Sequence, residues 1–286
     1  MGCCDHESSG MVISWYPGHM NKARKELVKL LRGIHVVIEV LDARIPMASA
    51  NPLLAAMTKQ LPIIKILNKA DLADKQITRA WLNHFNTQSA GICLLNGRDQ
   101  PLSFESLLRS AYQLCGPRGS QSRARQMVIV GIPNVGKSSL LNQLTDRKLA
   151  KTGNEPAVTR RQQRVQLDED WYLVDTPGLL WPRLEDQGAA YRLACTGTIR
   201  NTAVEAEDIA WFTAEMLLSE HRHALSRRYH IAASITEPEQ LLRHIAEIRG
   251  SLGKGGHPDW HKTSELLLND YRSGKLGSLS LETPPE

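Results

Sequence analysis

No apolar run among these 286 residues approaches the ~20 residues that a helical membrane span needs, so no membrane partner is expected. Metal-binding spacing is missing as well. The five cysteines (3, 4, 93, 115 and 195) show no zinc pattern, and their odd number speaks against a disulfide framework. Free, reduced thiols are expected, the alternative being reactive thiols at Cys3 and Cys4. The first ten residues, MGCCDHESSG, lack the basic-then-apolar order of a secretory signal. His6 stands where a myristoylation pattern needs Ser or Thr. Residues 1–14 are read as a disordered leader, with Met11 a candidate natural start. A cytoplasmic setting of bacterial type is expected, with a mitochondrial one left open.

What is present is apolar content sufficient for a core, 42% of the residues, enough for one large or two modest domains. The net charge of +5 is spread unevenly. Residues 1–185 hold 24 Lys+Arg against 16 Asp+Glu, whereas residues 186–286 hold 11 against 14. A basic first part suits a polyanion such as RNA, whose phosphates attract Lys and Arg and release counterions. A merely soluble basic surface would have the same composition.

Short apolar runs read as buried strands: VVIEVLD (36–42), PIIKILN (62–68), GICLL (91–95), QMVIVG (126–131) and WYLVD (171–175). Helix-like stretches at 51–60, 73–85, 103–114 and 137–145 alternate with them, a pattern that predicts a parallel sheet with helices on both faces. The connector CGPRGSQSRARQ (115–126) is rich in Gly, Pro, Ser and Arg. After about residue 187 the periodicity is helical only, and TSELLLNDYRSGKLG ends at a glycine suited to capping. The expected fold class is α/β: a P-loop GTPase domain over 15–186 with a mostly parallel sheet, then a small all-α C-terminal domain over 187–286.

The GTPase assignment rests on three motifs. GIPNVGKSS (131–139) fits the phosphate loop, with a strand before it and a helix after it. Gly131 and Gly136 permit the tight turn, and the backbone of Asn134, Val135, Gly136, Lys137, Ser138 and Ser139 surrounds the phosphates. Lys137 adds a point charge and Ser138 a hydroxyl for Mg2+. YLVDTPG (172–178) supplies Asp175, a Mg2+ ligand through water, and Gly178, whose N–H reaches a γ-phosphate. Thr159 is the switch threonine for the metal, with Thr152 a nearby rival. NKAD (68–71) then selects guanine: Asp71 accepts from N1–H and the 2-amino group, Asn68 braces the loop, and the Lys69 stem lies along the base.

Base recognition here precedes phosphate binding, the reverse of the usual chain order, so the domain is circularly permuted. The chain resembles the circularly permuted ribosome-assembly GTPases of the YlqF/RbgA type, which include the mitochondrial ribosome-associated GTPases. The likeness is carried by WYPGHMNKA (15–23), LDARIPMASANP (41–52), NKADL (68–72), GIPNVGKSSLLN (131–142), DTPGLLWP (175–182) and GKLGSLSLETP (274–284). One departure is that Leu95 and Asn96 stand where the family usually has a small Ser-containing turn, which leaves open the N–H that meets guanine O6. The resemblance implies GTP and GDP as ligands, a large ribosomal subunit precursor and its rRNA as partners, and a monomer that binds no DNA.

A water-orienting Gln after the DxxG glycine is also lacking; Leu179 is there instead. The resemblance implies His19 as the catalytic group beside Lys137, the alternative being a histidine at a helix start. It likewise implies that Asn134 holds a K+ ion, which would supply positive charge at the phosphates; a turn-forming Asn is the alternative. Asp42 and Arg44 either organise the edge of the nucleotide site or form a structural ion pair. His221 and His223 are read as a solvated helix face. Three functions fit: a GTP-hydrolysing ribosome-assembly factor, a phosphotransferase, for which no acceptor site is visible, and a nucleotide-gated RNA-binding scaffold with negligible hydrolysis.

Overall fold

Strand β1 (Val36–Asp42) is buried along its whole length, which requires a sheet covered on both faces. The computed structural model describes residues 20–88, 91–117, 124–152, 164–176, 186–198 and 206–285. Within them β1 lies at the middle of a six-stranded sheet. Its companions are β2 (Ile63–Asn68), β3 (Ile92–Leu95), β4 (Arg125–Val130), β5 (Arg164–Gln166) and β6 (Trp171–Asp175), in the order β3-β2-β1-β4-β6-β5. All pairings are parallel except β5 on β6, so the sheet is mostly parallel, as expected. The antiparallel edge strand β5 has no counterpart in the apolar runs, because RVQ is three residues long and two of them are polar.

Alternation along β1 separates the faces. Val36, Ile38 and Val40 join Ile64, Ile66, Met127 and Ile129 in the main core, under α5 (Phe104–Cys115) and α6 (Lys137–Thr152). Val37 turns the other way and meets Leu27 of α1 (Met20–Leu31) and Leu54 of α3 (Pro52–Thr58), just beyond the short α2 (Pro46–Ser49). Leu41 and Leu67 pack on Trp81 and Phe85 of α4 (Lys75–Gln88).

From residue 187 the described chain forms helices: α7 (Gln187–Cys195), α8 (Ala206–Glu220), α9 (Arg222–Tyr229), α10 (Pro238–Arg249) and α11 (Trp260–Arg272). Among the described residues there the only strand-like pairing is one bridge between Leu252 and Pro258. Ile209, Ala210, Thr213, Ala214 and Leu217 give α8 a buried stripe at helical spacing. Pro238 opens α10 behind a Glu237–Gln240 capping box, and Asp259 caps α11 through the Lys262 N–H. The apolar core continues without a break from the sheet into these helices.

Candidate nucleotide site

The two glycines of the phosphate loop are required by space. A Cβ on Gly131 would lie 2.7 Å from the Val40 carbonyl oxygen, and one on Gly136 would lie 2.3 Å from Asn68 Nδ2. Both have φ in the left-handed half of the map, at +150° and +102°. The chain leaves β4, makes this turn and enters α6 at Lys137, so Ser138 and Ser139 sit exposed on the first turn with unpaired helix N–H groups near them. The Lys137 ammonium is folded back over the loop and donates to the carbonyls of Gly131 (3.1 Å) and Ile132 (2.7 Å). Burial pushes it down to about 8, against the opposing charge of Asp175.

Asp175 ends β6 with its Oδ1 buried and unbonded. Burial raises its carboxyl above the usual range, although Lys137 and the Thr176 amide pull the other way. A desolvated carboxylate oxygen without a partner, facing the charge of Lys137, suits a hard divalent cation such as Mg2+. Asp175 and Ser138 therefore fit that ion.

The NKAD loop, 65 residues earlier in the chain, grips this phosphate loop. Asn68 Nδ2 donates to the Val135 carbonyl at 2.8 Å, and Lys69 Nζ donates to the Asn134 carbonyl at 3.0 Å. Asp71 lies beside a cleft of about 170 Å³ lined by Ala70, Lys75, Leu95, Gly97 and Gln100. Its Oδ1 accepts from the Arg98 amide at 3.1 Å.

Asn96, the departure noted in the sequence, has a place of its own. Its Nδ2 donates to Asn68 Oδ1 at 2.7 Å, and its Oδ1 accepts from Gln143 Nε2 of α6 at 3.0 Å and from the Leu102 amide at 2.8 Å. The amide of Asn68 is thus held at both ends, by the base side and by the phosphate loop. Sequence reasoning marked position 96 but not this linkage. The only sequence signal was an Asn where a small residue is usual.

Asp42 and Arg44 form a buried ion pair at 2.8 Å, and the Lys69 ammonium joins it 2.9 Å from Asp42. Burial works against the charged carboxylate, but Arg44 and Lys69 outweigh it and hold Asp42 well below the usual range. Asp42 and Arg44 are thus a structural ion pair, tied through Lys69 to the NKAD loop. The side chain of Asn134 donates from Nδ2 to the Gly197 carbonyl at 3.0 Å, joining the phosphate loop to the turn after α7.

The expectation for the histidine pair needs correction. His223 is exposed, but His221 is half-buried, with Nε2 3.0 Å from the Ser280 carbonyl, because the chain after α11 runs back over it. No group of three metal-ligating side chains occurs among the described residues. Cys93, Cys115 and Cys195 are free, and burial pushes Cys93 up to about 12 and Cys195 up to about 11, which makes both poor nucleophiles. His19, Thr159 and Gly178, like Cys3, Cys4 and Leu179, lie outside the described residues; Thr152 is the last residue of α6.

The chain has relatives among known proteins. A family model described as a 50S ribosome-binding GTPase matches residues 126–240. It starts at β4, so it takes in the phosphate loop and leaves NKAD outside, upstream. A Bacillus licheniformis protein named ribosome biogenesis GTPase A is 40% identical over 282 residues, covering 96% of this chain and 100% of its own. The Mus musculus mitochondrial ribosome-associated GTPase 1 is 31% identical, covering 95% of this chain and 90% of its own. The crystal structure of GNP-bound YlqF from T. maritima superposes with a TM-score of 0.66 at 27% identity, covering 93% of this chain and 99% of that one.

Proposed function

The chain belongs to the ribosome biogenesis GTPase A family, whose members are GTP-binding and GTP-hydrolysing factors of ribosome assembly, and we propose that it docks on a large-subunit precursor when GTP-bound and leaves after hydrolysis. The observation that carries this reading is the contact between the two loops. The Asn68–Val135 and Lys69–Asn134 hydrogen bonds bring a guanine-selecting loop against a phosphate cradle, as one bound nucleotide requires. Asp71 then accepts from N1–H and the 2-amino group of guanine, and Lys137 leaves its two carbonyl partners for the β and γ phosphates. Ser138, Asp175 through water, and Thr159 would hold Mg2+, which would supply positive charge to the bound phosphates. Gly178 is the residue that follows the γ-phosphate, and Asn134 is kept as the side chain for K+.

Further parts of the reading have other support. The division into a nucleotide-binding part (15–186) and a helical part (187–286) follows the change from strands to helices after β6. The rRNA contact rests on the basic first part of the chain and on the names of the relatives. No helix among the described residues is long and apolar enough to cross a membrane; the cytoplasm or a mitochondrion is the proposed compartment, and the working form is a monomer.

The base site is tested by titrating Asp71→Asn with GDP and xanthosine diphosphate. Loss of two charge-assisted hydrogen bonds costs about 2 to 4 kcal/mol of GDP affinity, and xanthosine diphosphate recovers it. Unchanged GDP affinity would show the site misassigned.

Leu179 favours a second reading, a nucleotide-gated scaffold without turnover, because an apolar side chain cannot orient water. Turnover with and without ribosomal particles separates the two. In the first reading particles stimulate hydrolysis, and His19→Ala lowers the stimulated rate by roughly 10² while leaving GTP affinity near wild type. A loss under about threefold would place the catalytic group elsewhere.

A further inference from the structure

The stretch GKLGSLSLETP (274–284) carries the family likeness, yet nothing above gives it a role. After α11 the chain turns through Gly274 and Gly277 and runs back along the loop that contains Asp71. Ser278 Oγ donates to the Asp71 carbonyl at 2.8 Å, and the Leu279 amide donates to the Leu72 carbonyl at 3.0 Å. Ser280 Oγ accepts from the Asp74 amide at 3.1 Å, and the Leu281 amide donates to the Arg44 carbonyl at 2.9 Å. Beyond them the Glu282 carbonyl accepts from Trp81 Nε1 at 3.0 Å. The Glu282 carboxylate accepts from the Met47 amide at 2.7 Å and pairs with Arg192 at 3.1 Å.

The loop needs such support. Asp71 sits in a single 3₁₀ turn, Ala70–Leu72, entered through Lys69 at φ +59°, and one turn has little internal hydrogen bonding with which to hold its shape. Segment 278–282 bonds the loop backbone at Asp71 itself and directly after it, at Leu72 and Asp74. Its other edge is fixed to the helices, by the His221 ring on the Ser280 carbonyl (3.0 Å) and by Arg227 on the Leu276 carbonyl (3.1 Å).

We propose that residues 278–282 are a positioning strap for Asp71, which sets the discrimination for guanine and joins the helical part of the chain to the base site. This rests on the reading of Asp71 as the guanine acceptor. GDP and GTP carry the same base, so the strap acts on both alike, and its effect is felt at the 2-amino group and N1–H of guanine. It holds Asp71 through the main chain and touches no nucleotide itself.

The test is calorimetric titration of the full chain with GDP and with inosine diphosphate, which lacks the 2-amino group. Asp71→Ala should bring the two affinities together. Ser278→Ala removes one strap donor at an exposed position, and Ser278→Ala with Leu279→Pro removes two. The GDP-to-IDP preference should fall about threefold in the single variant and about tenfold in the double one. General loosening of the fold would lower both affinities together and leave their ratio alone, so an unchanged ratio in both strap variants overturns the proposal. If Asp71→Ala also leaves the ratio unchanged, the base-site assignment fails first. If Asp71→Ala abolishes the preference and the strap variants do not, the strap alone fails.

Discussion

The two strands that flank β4 both end in aspartate at the same edge of the sheet, and the two carboxylates differ in every other respect. Asp42, at the end of β1, is fully buried and paired twice, with Arg44 stacked in turn 5.3 Å from the Tyr271 ring centre of α11. Asp175, at the end of β6, has one oxygen buried with no partner. The first carboxyl is held low by its cations, and the second is pushed up by burial. Side-chain identity and strand position are shared, so what separates a structural carboxylate from one ready for a ligand is the supply of countercharge from the protein itself. Asp42 has its cations built in. Asp175 awaits one.

That contrast can be broken by mutation. Asp42→Ala leaves Arg44 buried without its partner and should cost about 3 to 5 kcal/mol in urea denaturation. A loss under about 1 kcal/mol would mean that Arg44 finds water or another acceptor. The acid limb has a matching sign: a carboxyl lowered in the fold contributes stability above its ordinary value near 3.8, and that contribution is lost as pH falls further.

Asp175→Asn should behave in the opposite way, with melting temperature unchanged or higher and Mg2+-dependent GTP turnover down by about 10². Should it instead unfold like the Asp42 variant, the two carboxylates are alike after all. The smallest effect expected is a pH dependence. Because Lys137 is pushed down to about 8 in the free protein, bound phosphate must recharge it. GDP affinity should therefore fall about fourfold between pH 7 and 8.5, a slope that Lys137→Arg removes.

How much of this was visible in the sequence depended on how local each feature is. VVIEVLD, PIIKILN and WYLVD announce themselves as strands because the side chains on both faces of a covered parallel sheet are mostly apolar, which gives a near-continuous apolar run. RVQ gives no such signal, since an edge strand needs neither length nor two apolar faces. The phosphate loop and NKAD are each contiguous, so their chemistry could be read residue by residue, and their inverted order gave the permutation. The Gln143–Asn96–Asn68 linkage could not be seen, nor could the Asn134–Gly197 contact. Each joins residues far apart in the chain through side-chain amides that are ordinary in any loop. The same holds for His221: a helix face looks solvated until a segment nearly sixty residues away is laid across it.

The pairing of β1 with β4 joins Val36 to Met127, about 90 residues further along the chain. During synthesis at about 5 to 20 residues per second, roughly 5 to 18 seconds separate the two. Over that interval the half of the sheet that contains NKAD exists with one edge of β1 bare, a surface that invites wrong pairing. The phosphate loop is made immediately after β4, so the segment that closes this edge also brings the phosphate cradle against NKAD. Nucleotide has no complete site on the earlier, half-built chain, and its binding energy stabilises only the joined sheet. In a newly made molecule, capture of guanine nucleotide follows the covering of that edge of β1.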